Sequence, residues 1–141
     1  MPLKLSLKPG ERLVLNGAVI QNGDRRASLL LQNKAAVLRE KDIMQVDEAN
    51  TPARRVYFPV MMMYLENTDS ETWYAEFALR MTEFMGALRN PTILAECVTI
   101  SRDVMAGEYY KALTRCRKLI EYEDERMGHV ISGVSERAAA G

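Results

Sequence analysis

Turn-forming pairs break up the first forty residues so closely that only short strands fit between them. Pro9-Gly10, Asn16-Gly17, Asn22-Gly23 and Asn33-Lys34 follow one another, and Asn-Gly readily adopts the positive φ that a two-residue hairpin needs. Leu3, Leu5 and Leu7 alternate with Lys4, Ser6 and Lys8, the period-two pattern of a strand with one apolar and one basic face. Leu13 to Leu15, Ala18 to Gln21, Ala27 to Gln32 and Ala35 to Leu38 give four more segments. The expectation is five short antiparallel strands in one small sheet, with hairpin turns at Asn16-Gly17 and Asn22-Gly23. A sheet of that size buries little apolar area alone. It needs the helical remainder of the chain, a second copy of itself, or both.

The rest reads as helix. Asp47 to Pro52 is a polar connector, and Pro52 disfavours helix at Thr51. Arg55-Val56-Tyr57-Phe58 is either a last extended segment or a helix entry. Pro59 suits a first helical turn, which predicts a short helix over Val60 to Leu65 whose three methionines fill an irregular gap between helices and sheet. After a polar break at Asn67 to Ser70, with Asp69 or Ser70 as cap, Trp73, Phe77, Met81, Phe84 and Leu88 recur at helical spacing up to Arg89. Asn90-Pro91 then caps a third helix with the stripe Ile93, Leu94, Cys97, Ile100, Val104 and Met105, closed by Ala106-Gly107. A fourth helix runs from Glu108 to Met127 with the stripe Tyr109, Leu113, Cys116 and Ile120, antiparallel to the third across their short connection. The fold class is therefore α+β: a small N-terminal antiparallel β-sheet unit of about five short strands, then a C-terminal bundle of about four helices. The expected boundaries are 1–50 for the sheet unit, 51–130 for the bundle and 131–141 for a flexible tail.

Acidic and basic residues balance at 19 each, but unevenly along the chain. Residues 1–60 carry ten Lys and Arg against six Asp and Glu, and the remainder reverses the sign. A basic first part and an acidic second part point to different partners. No secretory leader pattern opens the sequence and no apolar run is long enough to span a bilayer, so the expectation is a cytoplasmic protein with reduced thiols at Cys97 and Cys116. Both cysteines fall on apolar stripes and read as core residues. The sole histidine, His129, lies beyond the last expected helix. No triad, zinc spacing or phosphate-cradling glycine motif occurs, so the sequence reads as a non-enzyme with no cofactor or metal. The run Glu121, Glu123, Asp124, Glu125 reads as a solvated helix end.

Three stretches carry a resemblance: LKPGERLVLNGAVIQNGDRR, LLQNKAAVLREKDIM and TPARRVYFPVMMMYL. On these the chain resembles the FlbT family of flagellar biosynthesis regulators. The resemblance implies a cytoplasmic post-transcriptional regulator of flagellin that acts on the 5′ untranslated leader of flagellin messenger RNA, repressing translation or promoting decay, with the small protein FlaF in the same circuit. The strand unit is also similar in pattern to the CsrA family of translational regulators, through Leu3 to Lys8, Gly10-Glu11 and Val37-Leu38-Arg39-Glu40-Lys41-Asp42-Ile43, although Leu7 stands where that family has arginine. This second likeness implies leader RNA as ligand, an interlocked homodimer, and an RNA contact at Arg39.

Read from the residues alone, RNA needs cations for phosphates and flat faces for bases. The strand unit supplies Lys4, Lys8, Arg12, Arg25, Arg26, Lys34, Arg39 and Lys41, and Arg54-Arg55 follow beside Tyr57 and Phe58. No aromatic residue precedes Tyr57, so the strands bring no stacking ring of their own. The candidate RNA-binding residues are Lys4, Lys8, Arg39, Arg54 and Arg55. The alternative is a protein-binding regulator or chaperone that grips flagellin or FlaF through the helices, with Tyr109 and Tyr110 as candidate partner-binding residues.

Overall fold

The computed structural model describes residues 2–66 and 70–140, with side chains as far as Met127. Five strands come first: β1 (Leu3–Leu7), β2 (Arg12–Leu15), β3 (Ala18–Gln21), β4 (Ala27–Leu31) and β5 (Val37–Arg39). Four helices follow: α1 (Pro52–Leu65), α2 (Ser70–Gly86), α3 (Pro91–Met105) and α4 (Tyr109–Ala140). The α+β order expected from the sequence is the one observed.

The strands form two sheets, not one. β1 pairs with β4, and β2 lies between β3 and β5, all antiparallel. Asn16 (φ 49°) and Gly17 (φ 84°) make the expected hairpin between β2 and β3. Asn22-Gly23 does not make the second hairpin. The Asn22 amide donates to the carbonyls of Lys8 (2.8 Å) and Arg25 (2.9 Å), while Gly10 N–H donates to the Gly23 carbonyl at 2.8 Å. These bonds tie the segment to the turn after β1, and the chain crosses to pair β4 with β1. Its side-chain chemistry makes a crossing where the dipeptide alone predicts a reversal.

Among the β residues, Val14 and Leu38 join the helical core. Alternation places Leu13 on the face of β2 away from Val14, and Leu13 is fully buried there too. The helical part is thus a cover for the three-stranded sheet. Its core is built from Val56, Val60 and Met63 of α1, Phe77, Met81 and Phe84 of α2, Cys97, Ile100 and Val104 of α3, and Leu113, Cys116 and Leu119 of α4. Both thiols are free and buried; burial pushes Cys97 up to about 11 and raises Cys116 as well.

α1 starts at Pro52, seven residues before the proline expected to open it. Thr51 Oγ1 accepts from Arg54 N–H at 3.3 Å, and Glu123 Oε2, reaching over from α4, accepts from Ala53 N–H at 2.9 Å. Pro59 sits inside the helix, where its missing N–H removes a bond to the Arg55 carbonyl. Burial of Val56, Tyr57, Val60, Met61 and Met63 along one face outweighs that loss. Met61 Sδ also accepts from Met44 N–H at 3.3 Å, joining α1 to the segment after β5. Asn90 caps α3 by accepting from Thr92 and Ile93 N–H, and Gly107 (φ 76°) ends it, both as expected. α4 continues past the expected end at Met127 to Ala140; its last residues are alanines, the strongest helix formers. His129 falls within this helix, its side chain outside the described residues, as is the proposed cap Asp69.

Candidate nucleic-acid interface

The cations of the two parts of the chain are used differently. In the helices, Arg80 pairs with Glu76 and Glu83, Arg115 with Glu96 and Asp103, and Arg117 with Asp42. On the strand unit, Lys4, Lys8, Arg12, Arg25, Arg26, Lys34 and Lys41 make no ion pair among the described residues, and Arg39 is the exception.

Arg39 ends β5 and turns inward. Its Nη2 donates to the Ser6 carbonyl at 2.6 Å and to Glu11 Oε2 at 2.8 Å, and its Nε donates to the same oxygen at 3.2 Å. The Glu11 carboxylate also accepts from the Lys8 N–H at 2.9 Å. That amide first, then the Arg39 guanidinium, holds the Glu11 carboxyl below its ordinary range. Arg39 thereby locks the end of β5 to β1 and to the Pro9-Gly10 turn. Around this pair lies an open polar cleft of about 540 Å³, with Lys8, Arg26 and Lys41 on its walls together with Glu40. Three exposed cations beside this ion pair form a surface able to take successive phosphates as point charges or, at Arg26, through a planar fork.

On the other side of Arg39 a larger groove of about 850 Å³ runs between β1 and β5. Its rim carries Lys4 and Lys34, and its far wall carries Tyr64 and Tyr110. The Tyr64 hydroxyl accepts from Val37 N–H at 2.9 Å and donates to Val37 C=O at 3.0 Å. It fills both hydrogen-bonding positions of that residue and docks β5 on α1. Burial raises its phenol above the ordinary value. Tyr110 leans on Tyr64, ring centroids 5.5 Å apart and planes at 48°, and stays 51% exposed. Lower down, the Tyr57 hydroxyl donates to the Asp42 carbonyl at 2.6 Å, and Arg117 Nη2 stands 3.1 Å from the Asp42 carboxylate, a pairing by charge without an aligned hydrogen bond.

The chain belongs to the FlbT family. The model of that family, described as flagellar protein FlbT, matches residues 3–127. Among similar proteins, the flagellum biosynthesis repressor protein FlbT of Caulobacter vibrioides is 69% identical over the full length of both chains. A probable repressor of the same name from another Caulobacter species is 72% identical over 92% of this chain and 99% of its own. One from Rhodopseudomonas palustris is 41% identical over 89% and 97%. No solved structure matches.

In this FlbT-family chain the residues singled out from the sequence separate. Lys8 and Arg39 share the cleft, while Lys4 and Arg39 share the groove. Arg54 is drawn to α4, with Nη2 3.1 Å from Asp124 and Nη1 3.6 Å from Glu123. Arg55 is exposed beside Phe58 and Trp73 in a depression facing α2. The acidic run is more than a solvated end, since Glu123 caps α1 and Asp124 holds Arg54. Tyr109 packs on the core next to exposed Tyr74 and Met105, whereas Tyr110 enters the groove, so the two adjacent tyrosines serve different surfaces. Arg26, Lys41, Lys34 and Tyr64 join the two sites from outside the five candidates that the sequence singles out. The first three carry no local signal beyond charge, and Tyr64 reaches its place only through the packing of α1.

Proposed function

We propose that this chain is a post-transcriptional regulator of flagellin synthesis that binds the 5′ untranslated leader of flagellin messenger RNA and represses translation or promotes decay. The observation that carries the reading is the cleft of Lys8, Arg26 and Lys41, which make no ion pair among the described residues, around the internally held Arg39. It offers the sequence-independent phosphate affinity on which RNA binding is founded, and family membership agrees with a regulatory role. Arg39 serves here as the organiser of the cleft rather than its leading phosphate contact. The test is equilibrium binding of the purified protein to the leader and to a scrambled leader across a salt series. Replacing Lys8, Arg26 or Lys41 singly by Ala reduces the slope of log K against log salt by roughly 0.7 each for single-stranded RNA. A folded protein with no preference for the leader overturns the reading.

A second reading, docking of flagellin or FlaF on the helices, is favoured by the depression of about 450 Å³ where Tyr109 lies beside exposed Tyr74 and Met105. Under it, Met105→Glu abolishes capture of the purified partner and leaves the fold intact. Unchanged capture refutes it.

A further inference from the structure

The groove between β1 and β5 has a charge balance that can be read residue by residue. Arg39 on its wall is answered by Glu11, and Asp42 on its wall is answered by Arg117. What remains is positive: Lys4 and Lys34 on the rim make no ion pair among the described residues. The interior is mostly apolar and contains one half-exposed ring, Tyr110, supported from behind by Tyr64. An occupant therefore needs negative charge at its edges and a flat apolar face at its centre.

A peptide adding as an extra strand finds the β5 side of the groove already taken. Such binding relies on free backbone groups along a strand edge. Here Val37 has both its N–H and its C=O engaged by the Tyr64 hydroxyl, and the Ser6 carbonyl of β1 is engaged by Arg39. The side chains that the groove offers an occupant are a ring and two ammonium groups. That is the arrangement with which proteins hold single-stranded nucleic acid, a base stacked on an aromatic face and phosphates on flanking cations. A volume of about 850 Å³ lies within the range of small-ligand clefts.

We propose that this groove takes an unpaired nucleotide of a single-stranded RNA, its base stacked on Tyr110 and its flanking phosphates on Lys4 and Lys34. The proposal rests on the RNA reading above and extends it: the strand unit has no stacking ring, and α4 lends it one. Arg39, common to the walls of both sites, lets one strand run from the polar cleft into the groove. RNA that is fully base-paired presents no such base and binds through the cleft alone.

The experiment uses the full-length protein and the flagellin leader, with thermal unfolding monitored by circular dichroism to verify each variant. Tyr110→Ala weakens leader binding about tenfold, the effect of losing one stacked base, while the salt slope stays at the unsubstituted value because no phosphate contact is removed. Tyr110→Phe restores the affinity. Lys4→Ala and Lys34→Ala each lower the slope instead. Ultraviolet crosslinking of a 5-bromouridine-substituted leader modifies the tryptic peptide of residues 103–111, which holds Tyr110. If folded Tyr110→Ala binds the leader unchanged while Lys8→Ala and Arg26→Ala weaken it, the groove proposal fails and the cleft reading stands. If no variant and no salt concentration shows leader preference, both fail. If flagellin or FlaF protects Lys4 and Lys34 from acetylation and RNA does not, the groove is a protein site and the proposal is overturned.

Discussion

Removing one oxygen atom tests how the strand unit is held to the helices. In Tyr64→Phe the ring stays, so its packing against Tyr110 and the shape of the groove wall are kept. The Val37 N–H loses its acceptor at 2.9 Å and the Val37 C=O loses its donor at 3.0 Å. A neutral hydrogen bond contributes about 1 kcal/mol net, and a buried group left without a partner costs about 1–3 kcal/mol. Val37 is only half-buried and borders an open groove, so water reaches part of the gap. The expected loss is therefore about 1–2 kcal/mol, the low end for two bonds. With a urea dependence of about 2 kcal/mol per molar, the unfolding midpoint falls by roughly 0.5–1 M. The slope stays the same, because the unfolded chain exposes the same surface. Deuterium exchange adds a local readout: the Val37 amide exchanges faster in the variant while the amides of α3 keep their relative protection. A midpoint shift under about 0.2 M with unchanged Val37 protection would show that the hydroxyl does not dock β5, and would refute the reasoning.

Three further outcomes follow from other contacts. Glu123→Ala removes the carboxylate at the start of α1 and lowers stability by about 1–2 kcal/mol, whereas Glu123→Gln, which keeps an acceptor for Ala53 N–H, loses less; urea midpoints of the two variants check this. Burial pushes the Tyr57 phenol up to about 12 from an ordinary value of 10. The folded chain thus keeps a proton that the unfolded chain releases, so this contribution is complete below pH 10 and declines as pH rises towards 12, by about 3 kcal/mol in all. Unfolding midpoints from pH 9 to 11 fall accordingly, and less steeply in Tyr57→Phe. Cys97 and Cys116, both buried, resist a thiol reagent in native buffer and react at the global unfolding rate; immediate reaction would contradict the packing of α3 on α4.

Local chemistry was legible in the sequence and long-range chemistry was not. The strands are delimited by turn residues that act within a few positions, and α3 is bracketed by Asn90-Pro91 and Gly107, so their bounds follow from neighbours. Asn22-Gly23 misled because its amide bonds to Lys8, a partner that no dipeptide rule contains. Pro59 misled because the burial of an entire helix face outweighs one missing hydrogen bond. At the site, the surplus of cations on the strand unit was visible, but which of them stay free was not. That depends on Glu11 taking Arg39 and on Asp124 taking Arg54, and on two tyrosines arriving from α1 and α4.

The cap at the start of α1 also sets a timetable for synthesis. Ala53 and its acceptor Glu123 are separated by 70 positions, which a ribosome working at about 5–20 residues per second takes roughly 4–14 s to cover. Through that interval Val56, Val60 and Met63 have α2 to pack on, while the share of the core that α4 supplies is still missing. The part of that face kept for α4 is then open to whatever meets apolar segments at the ribosome exit, and the first turn of α1 gains its carboxylate cap only once Glu123 has been made.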